Sequence, residues 1–273
     1  MNERLIFLDT NAVLDLAFEW RPRHHLIYEV FEKRNVGKAE PLLYTVWIMD
    51  EINHILTTAL EEVRSLFLKG LEKEEGWDEL DFQEREDRLN NWLRDLEDAP
   101  ERPNYFQIVG YVVGQLKASL LALGRKDLIP YFEEQAVGLE WLFRQKLLPN
   151  EPMLAHHGSL EGQRLAMELF ELLKDARWMK GPLFQLKRDD ETVDAQNLAE
   201  LLSFLEHSPM IGETPVRGIP KIEFWTSDRE LEERYEHVKE NAENLGLTKL
   251  VNRGSLSRFS VVFLHPSTQK SEL

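Results

Sequence analysis

Four carboxylates in this sequence occupy positions where acids can do chemistry. Asp9 stands directly beyond the apolar run Leu5-Ile6-Phe7-Leu8, and Asp228 closes the segment that begins with Ile222-Glu223-Phe224-Trp225. In open α/β sheets, ligands bind outside the carboxyl ends of the strands, so both addresses suit a site. Both also suit a helix N-cap. Glu51 follows Ile48 by three residues and precedes Ile55 by four, on or beside an apolar helix stripe where an unpaired carboxylate is costly. A buried salt bridge is its plain structural reading. Its neighbour Asp50 shares a polar face with Asn53, His54 and Thr57 and reads as solvated surface. Asp194 precedes Leu198 by four residues and Leu201 by seven, which starts a second stripe and also fits a cap favoured by the helix dipole. Asp190, one turn earlier, is the alternative to Asp194. Oxygen-only donors of this kind suit Mg²⁺ or Mn²⁺. Such ions activate water and stabilise both the attacking and the leaving oxygen when a phosphodiester is cleaved.

The elements that must position these groups follow from periodicity. Residues 5–8, 42–44, 222–226 and 259–264 read as short buried strands, with helices between them. Thr45 reads as the N-cap of a helix whose Ile48, Ile52, Ile55, Leu56, Ala59 and Val63 share one face. Alternating strands and helices predict a parallel sheet covered on both faces. Residues 64–184 lack strand-like runs and read as an all-helical insertion, punctuated by Pro100, Pro103, Pro130 and Pro152. The expected organisation is therefore a discontinuous α/β domain over 1–63 and 185–265, a helical insertion over 64–184, and a disordered tail over 266–273.

Composition bounds the function. The 273 residues include 33 Lys and Arg against 49 Asp and Glu, a net charge of −16, and no cysteine. Thiolate metal sites, cysteine nucleophiles and disulfides are excluded. The negative balance argues against coating DNA by bulk attraction, but not against a nuclease with local basic contacts. Residues 61–100 carry fourteen acidic and six basic side chains, half of the net charge. Lys174, Arg177, Lys180, Lys187 and Arg188 face only Asp175 among acids and are the candidate phosphate contacts; a solvated helix face is the simpler reading. His24 and His25 beside Arg21 and Arg23 are a further candidate RNA contact near the site mouth, and His156-His157 read as loop surface. No stretch approaches the roughly 20 apolar residues of a membrane span. The opening MNERLIFLDTN is too soon acidic for a signal peptide, so a cytoplasmic protein is expected.

At the four carboxylates the sequence resembles the PIN domain family of metal-dependent ribonucleases. The matching segments are FLDTNAVLDL at 7–16, TVWIMDEI at 45–52, DAQNLA at 194–199 and FWTSDREL at 224–231, in the family's order. The resemblance covers roughly half of the chain. It implies a PIN-like three-layer fold with a central parallel sheet, and Asp9, Glu51, Asp194 and Asp228 as ligands of Mg²⁺ or Mn²⁺. It further implies that Asn11 orients Asp9 or a water, and that Thr226 or Ser227 hydrogen-bonds within the site. The expected activity is endoribonuclease cleavage of RNA, with single-stranded DNA as the second substrate class. Toxin, processing and defence roles stay open. The helical insertion is the expected seat of an antitoxin or other protein partner, or of a homodimer contact. The competing reading is a non-catalytic scaffold of the same fold that binds a protein through the insertion.

Overall fold

A computed structural model describes residues 4–21, 23–33, 42–73, 76–98, 106–147, 152–174, 188–216, 218 and 221–264. The chain divides into two compact units, Met1–Glu51 with Lys146–Leu273, and Ile52–Gln145. The expected tail at 266–273 lies outside the described residues.

The first unit is mixed α/β. Its strands are β1 (Arg4–Leu8), β2 (Leu42–Tyr44), β3 (Met153–His157), β4 (Pro209–Ile211), β5 (Thr214–Pro215), β6 (Lys221–Thr226) and β7 (Phe259–Phe263), in the sheet order β5-β4-β3-β2-β1-β6-β7. The five strands from β3 to β7 through β1 are parallel, and β4 and β5 add an antiparallel edge. Leu5 to Leu8 are essentially solvent-free, as a central parallel strand covered on both faces requires. Helices α1 (Thr10–Ala17) and α2 (His24–Lys33) follow β1, and α3 (Val46–Lys73) follows β2. Thr45 caps α3 by accepting from the Ile48 N–H at 3.4 Å, and the predicted apolar stripe of α3 is buried throughout.

The second unit holds the rest of α3 with α4 (Phe82–Glu97), α5 (Phe106–Ala122), α6 (Arg125–Glu134) and most of α7 (Ala136–Lys146). Its aromatic core is cohesive: Trp77 stacks on Trp92 at 5.4 Å, and Phe67 meets both rings edge-on. Such pairs add to plain apolar burial. Arg85 lies 5.3 Å from the Trp77 ring and donates to the carbonyls of Trp77, Leu121 and Leu123, which ties α4 to the end of α5.

The boundaries differ from the expected 64–184. Residues 146–174 belong with the sheet, through β3 and through α8 (Leu160–Lys174), which packs along α9 (Arg188–Phe204). Strand β3 reads MLAHH, with no β-branched residue and an exposed Met153 and Leu154, so neither composition nor alternation marks it as a strand. Helices α10 (Arg229–Glu240) and α11 (Thr248–Asn252) complete the first unit.

Gly70 sits where a Cβ would lie 2.4–2.5 Å from the Trp92 ring. Gly70→Ala should displace that indole and cost about 1–3 kcal/mol by overpacking. Loss of near-ultraviolet dichroism with a lowered urea midpoint checks this; an unchanged midpoint would show the indole free to move.

Candidate functional site

The carboxyl ends of β1 and β6 are level, because Leu8 pairs with Trp225 and the Asp9 N–H donates to the Trp225 carbonyl at 2.9 Å. The register therefore brings Asp9 beside the turn after β6. There the Thr226 hydroxyl donates to Asp9 Oδ2 at 2.8 Å and accepts the Asp228 N–H at 2.9 Å. Asp9 stands at the N-cap position of α1, yet no side-chain capping bond forms. Its carboxylate is spent on the rim rather than on the helix.

The other two acids arrive from helices. Glu51, in the second turn of α3, accepts from the Thr10 hydroxyl at 2.5 Å. Asp194 lies in the second turn of α9, because that helix begins at Arg188; the capping reading is thereby removed. The Asp194 carboxylate is gripped by the guanidinium of Arg234, a buried residue of α10. Three residues on, Asn197 accepts from the Thr45 hydroxyl at 2.5 Å and fixes α9 against the end of β2.

Electrostatics confirms that the four acids share one neighbourhood. Burial, then repulsion from Glu51 and Asp228, pushes Asp9 up to about 7, against the lowering hydrogen bond from Thr226. Burial and repulsion from Asp9, Asp228 and Glu51 likewise raise Asp194 well above the carboxylate range, although Arg234 opposes them. Glu223 in β6 behaves oppositely. Burial raises it, but a hydrogen bond from Trp225 and the cations Lys221 and Arg4 outweigh that, and its pKa is lowered. The fold neutralises Glu223 and leaves the rim acids in mutual repulsion, a pattern that concentrates at functional sites.

Among the described residues, no three His, Asp or Glu side chains stand ready as a metal-ligand group. Hydroxyls of Thr10 and Thr226 and the Arg234 guanidinium occupy these carboxylates instead. Asn11 is exposed and accepts from Arg21 at 3.2 Å, rather than orienting Asp9. Ser227 is buried, and Thr226 supplies the hydroxyl at the site. Arg177, Lys180 and Lys187 lie outside the described residues, as do the side chains of Arg188 and Asp190.

Two groups escaped the sequence reading. Arg234 lies between Leu231 and Tyr235 on an amphipathic helix and carried no motif. Glu200 and His157 form a buried pair whose atoms approach to 4.0 Å, so His157 is interior rather than loop surface. Ser203 donates to the Glu200 carbonyl at 2.7 Å, so at 3.3 Å its oxygen accepts from His157 Nε2. His157 is neutral, since burial, then His207 and His156, lower its pKa to about 4. Glu200 thus lacks a cation there, its Oε2 has no hydrogen bond, and burial raises it to about 7. The signal available in the sequence was a glutamate inside the solid apolar run Leu198-Ala199-Glu200-Leu201-Leu202.

Compared with known protein families, curated proteins and solved structures, the chain matches none.

The folded chain holds the Glu200 proton more tightly than the unfolded chain does, since burial raises its pKa from 4.5 to about 7. Stability from this group is present at low pH and is lost as pH rises through about 7. Glu200→Gln should flatten that loss, gaining about 2 kcal/mol on the wild type between roughly pH 5.5 and pH 8.5. Urea titrations at the two pH values check the sign; parallel curves would remove Glu200 as the source.

Proposed function

We propose that the first unit is a PIN-like, metal-dependent endoribonuclease centred on Asp9, Glu51, Asp194 and Asp228. The observation that carries this reading is that strand ends and helices bring these acids together at the carboxyl-end rim of a mostly parallel sheet, where Asp9 and Asp194 feel the charge of neighbouring acids. The donor types suit a hard divalent cation, being all oxygen and delivered by two strand ends and two helices, although the described side chains do not stand as a preformed ligand group. Asp9, Asp228, Glu51 and Asp194 would hold Mg²⁺ or Mn²⁺. When bound, that ion supplies Lewis acidity to the scissile phosphodiester and lowers the pKa of an attacking water.

The chain's own residues perform the positioning. Thr226 holds Asp9 by one oxygen and fixes the backbone of Asp228 in the same stroke. Thr10 orients Glu51 from the residue adjoining Asp9. Arg234 restrains Asp194 and limits the negative charge of the cluster. Its pairing also favours a second reading, a scaffold that binds a protein, because a cluster partly neutralised by its own arginine has less need of a metal.

Cleavage of a mixed panel of total RNA and single-stranded DNA separates the two readings. The wild type should cut RNA only with Mg²⁺ or Mn²⁺, and Asp9→Asn should lose at least about a hundredfold of that activity, as loss of a metal-positioning or charge-stabilising group does. The same variant should be more stable than the wild type in EDTA at pH 8, because a buried, repelled anion is gone. Silence of both folded proteins, with no Mn²⁺ bound, would support the scaffold.

A further inference from the structure

The turn joining α1 to α2 has an unusual makeup for so acidic a chain. Through the turn and into the start of α2, from Trp20 to Tyr28 between Glu19 and Glu29, the sequence reads WRPRHHLIY: two arginines, two histidines and two aromatics, in a protein of net charge −16. Trp20 and Tyr28 are both solvent-exposed, at 40% and 42%. Each has one ring face backed by a neighbour, Trp20 by Phe18 at 4.8 Å and Tyr28 by His24 at 5.9 Å. Backing of this sort fixes a ring's orientation at little further entropic cost, which is what a stacking surface needs.

The turn is also tied to the rim on two sides. Arg21 pairs with the buried Asp15 and donates to Asn11, two residues beyond Asp9. Arg23 lies over the Phe263 ring at 5.4 Å, and Phe263 is the β7 partner of Thr226, the residue that holds Asp9. Rigid cations and aromatic faces thus stand together beside the acid cluster.

We propose that this turn and the start of α2 form a binding platform for a single-stranded polynucleotide, with bases stacking on Trp20 and Tyr28 and phosphates meeting Arg23, while Arg21 holds the turn to Asp15. Aromatic stacking interleaved with cations is the recognition chemistry of single strands, whose bases have free faces; a duplex offers none. The rim acids repel phosphate, so a strand must be held by something outside them, and the turn that carries Arg23 and the backed aromatic rings adjoins them. The platform rests on the nuclease reading only for what happens to the strand afterwards; the binding itself needs no catalysis.

The test is fluorescence anisotropy in EDTA, where no metal-dependent cleavage proceeds. Labelled 12-mers of oligo(U) and oligo(dT) are titrated with the full chain beside a 12-base-pair duplex. Either single strand should bind tighter than the duplex. Trp20→Ala/Tyr28→Ala should weaken single-strand binding at least about tenfold, as loss of stacked bases does. Trp20→Phe/Tyr28→Phe should restore most of it. Trp141→Ala, at an indole 60% exposed in the second unit, should change nothing. Arg23→Gln should lower the slope of log K against log salt by about 0.7, the value for one phosphate contact on a single strand. A duplex preference, or equal affinities of the wild type and the double alanine variant, overturns the platform. If single strands bind as described but no metal supports cleavage, the nuclease reading fails and the platform stands. Cleavage that persists in the double alanine variant with unchanged KM overturns the platform and leaves the nuclease.

Discussion

One hydroxyl holds the candidate site together. Thr226 Oγ1 spends its proton on Asp9 and its lone pair on the Asp228 N–H, so one atom joins the ends of β1 and β6 and sets two carboxylates around itself. It can do so because the two strands are parallel and in register to their last residues. An antiparallel pair would place one of these ends at the opposite edge of the sheet. The parallel order is itself a consequence of helical crossovers, which cover both faces and turn the strand interiors into continuous apolar runs. From that core outward, rim acids have side-chain partners from other elements: Thr226 for Asp9, Thr10 for Glu51, Arg234 for Asp194.

The strong regularities of this fold could be read in the sequence. The α3 stripe repeats from Ile48 to Val63, the run at β1 is apolar from Leu5 to Leu8, and the run from Ile222 to Trp225 in β6 is apolar but for Glu223, so Asp9, Glu51 and Asp228 could be placed by counting. Where the pattern weakens, counting fails. Strand β3 carries two histidines and exposed apolar residues, and it is a strand because β2 and β4 lie on either side of it. The start of α9 at Arg188, ahead of the apolar stripe, hid the fact that Asp194 is a helix-interior residue in need of a cation. Arg234 and Thr10 escaped for a different reason. Their importance lies in what they touch, and a contact across 40 residues leaves no local trace.

The acids of the chain fall into classes that net charge conceals. Those of α4 are mostly exposed, and Glu84 forms a capping box with the N-cap Asp81, which satisfies helix-end donors. Glu223 is buried but surrounded by donors. Asp9, Asp194 and Glu200 are held at raised pKa by burial, the first two also by repulsion from neighbouring rim acids. Keeping such groups costs stability, so the packed helices and strands around them must exceed what a chain without them would need.

Helix α9 repays a closer look at its spacing. Asp194, Asn197, Glu200 and Ser203 recur every third residue on a helix that is buried from 197 to 205. Three residues fall about 60° short of a full turn, so the row winds slowly around the axis. Its members therefore meet different elements in succession: Arg234 on α10, Thr45 beyond β2, and His157 on β3. The helix works like the cut edge of a key, with each notch read by a separate part of the lock. Side chains along it can be exchanged one at a time, but its length cannot drift. A single deletion between Asp194 and Ser203 would rotate every later notch by about 100° and leave buried polar groups facing leucine.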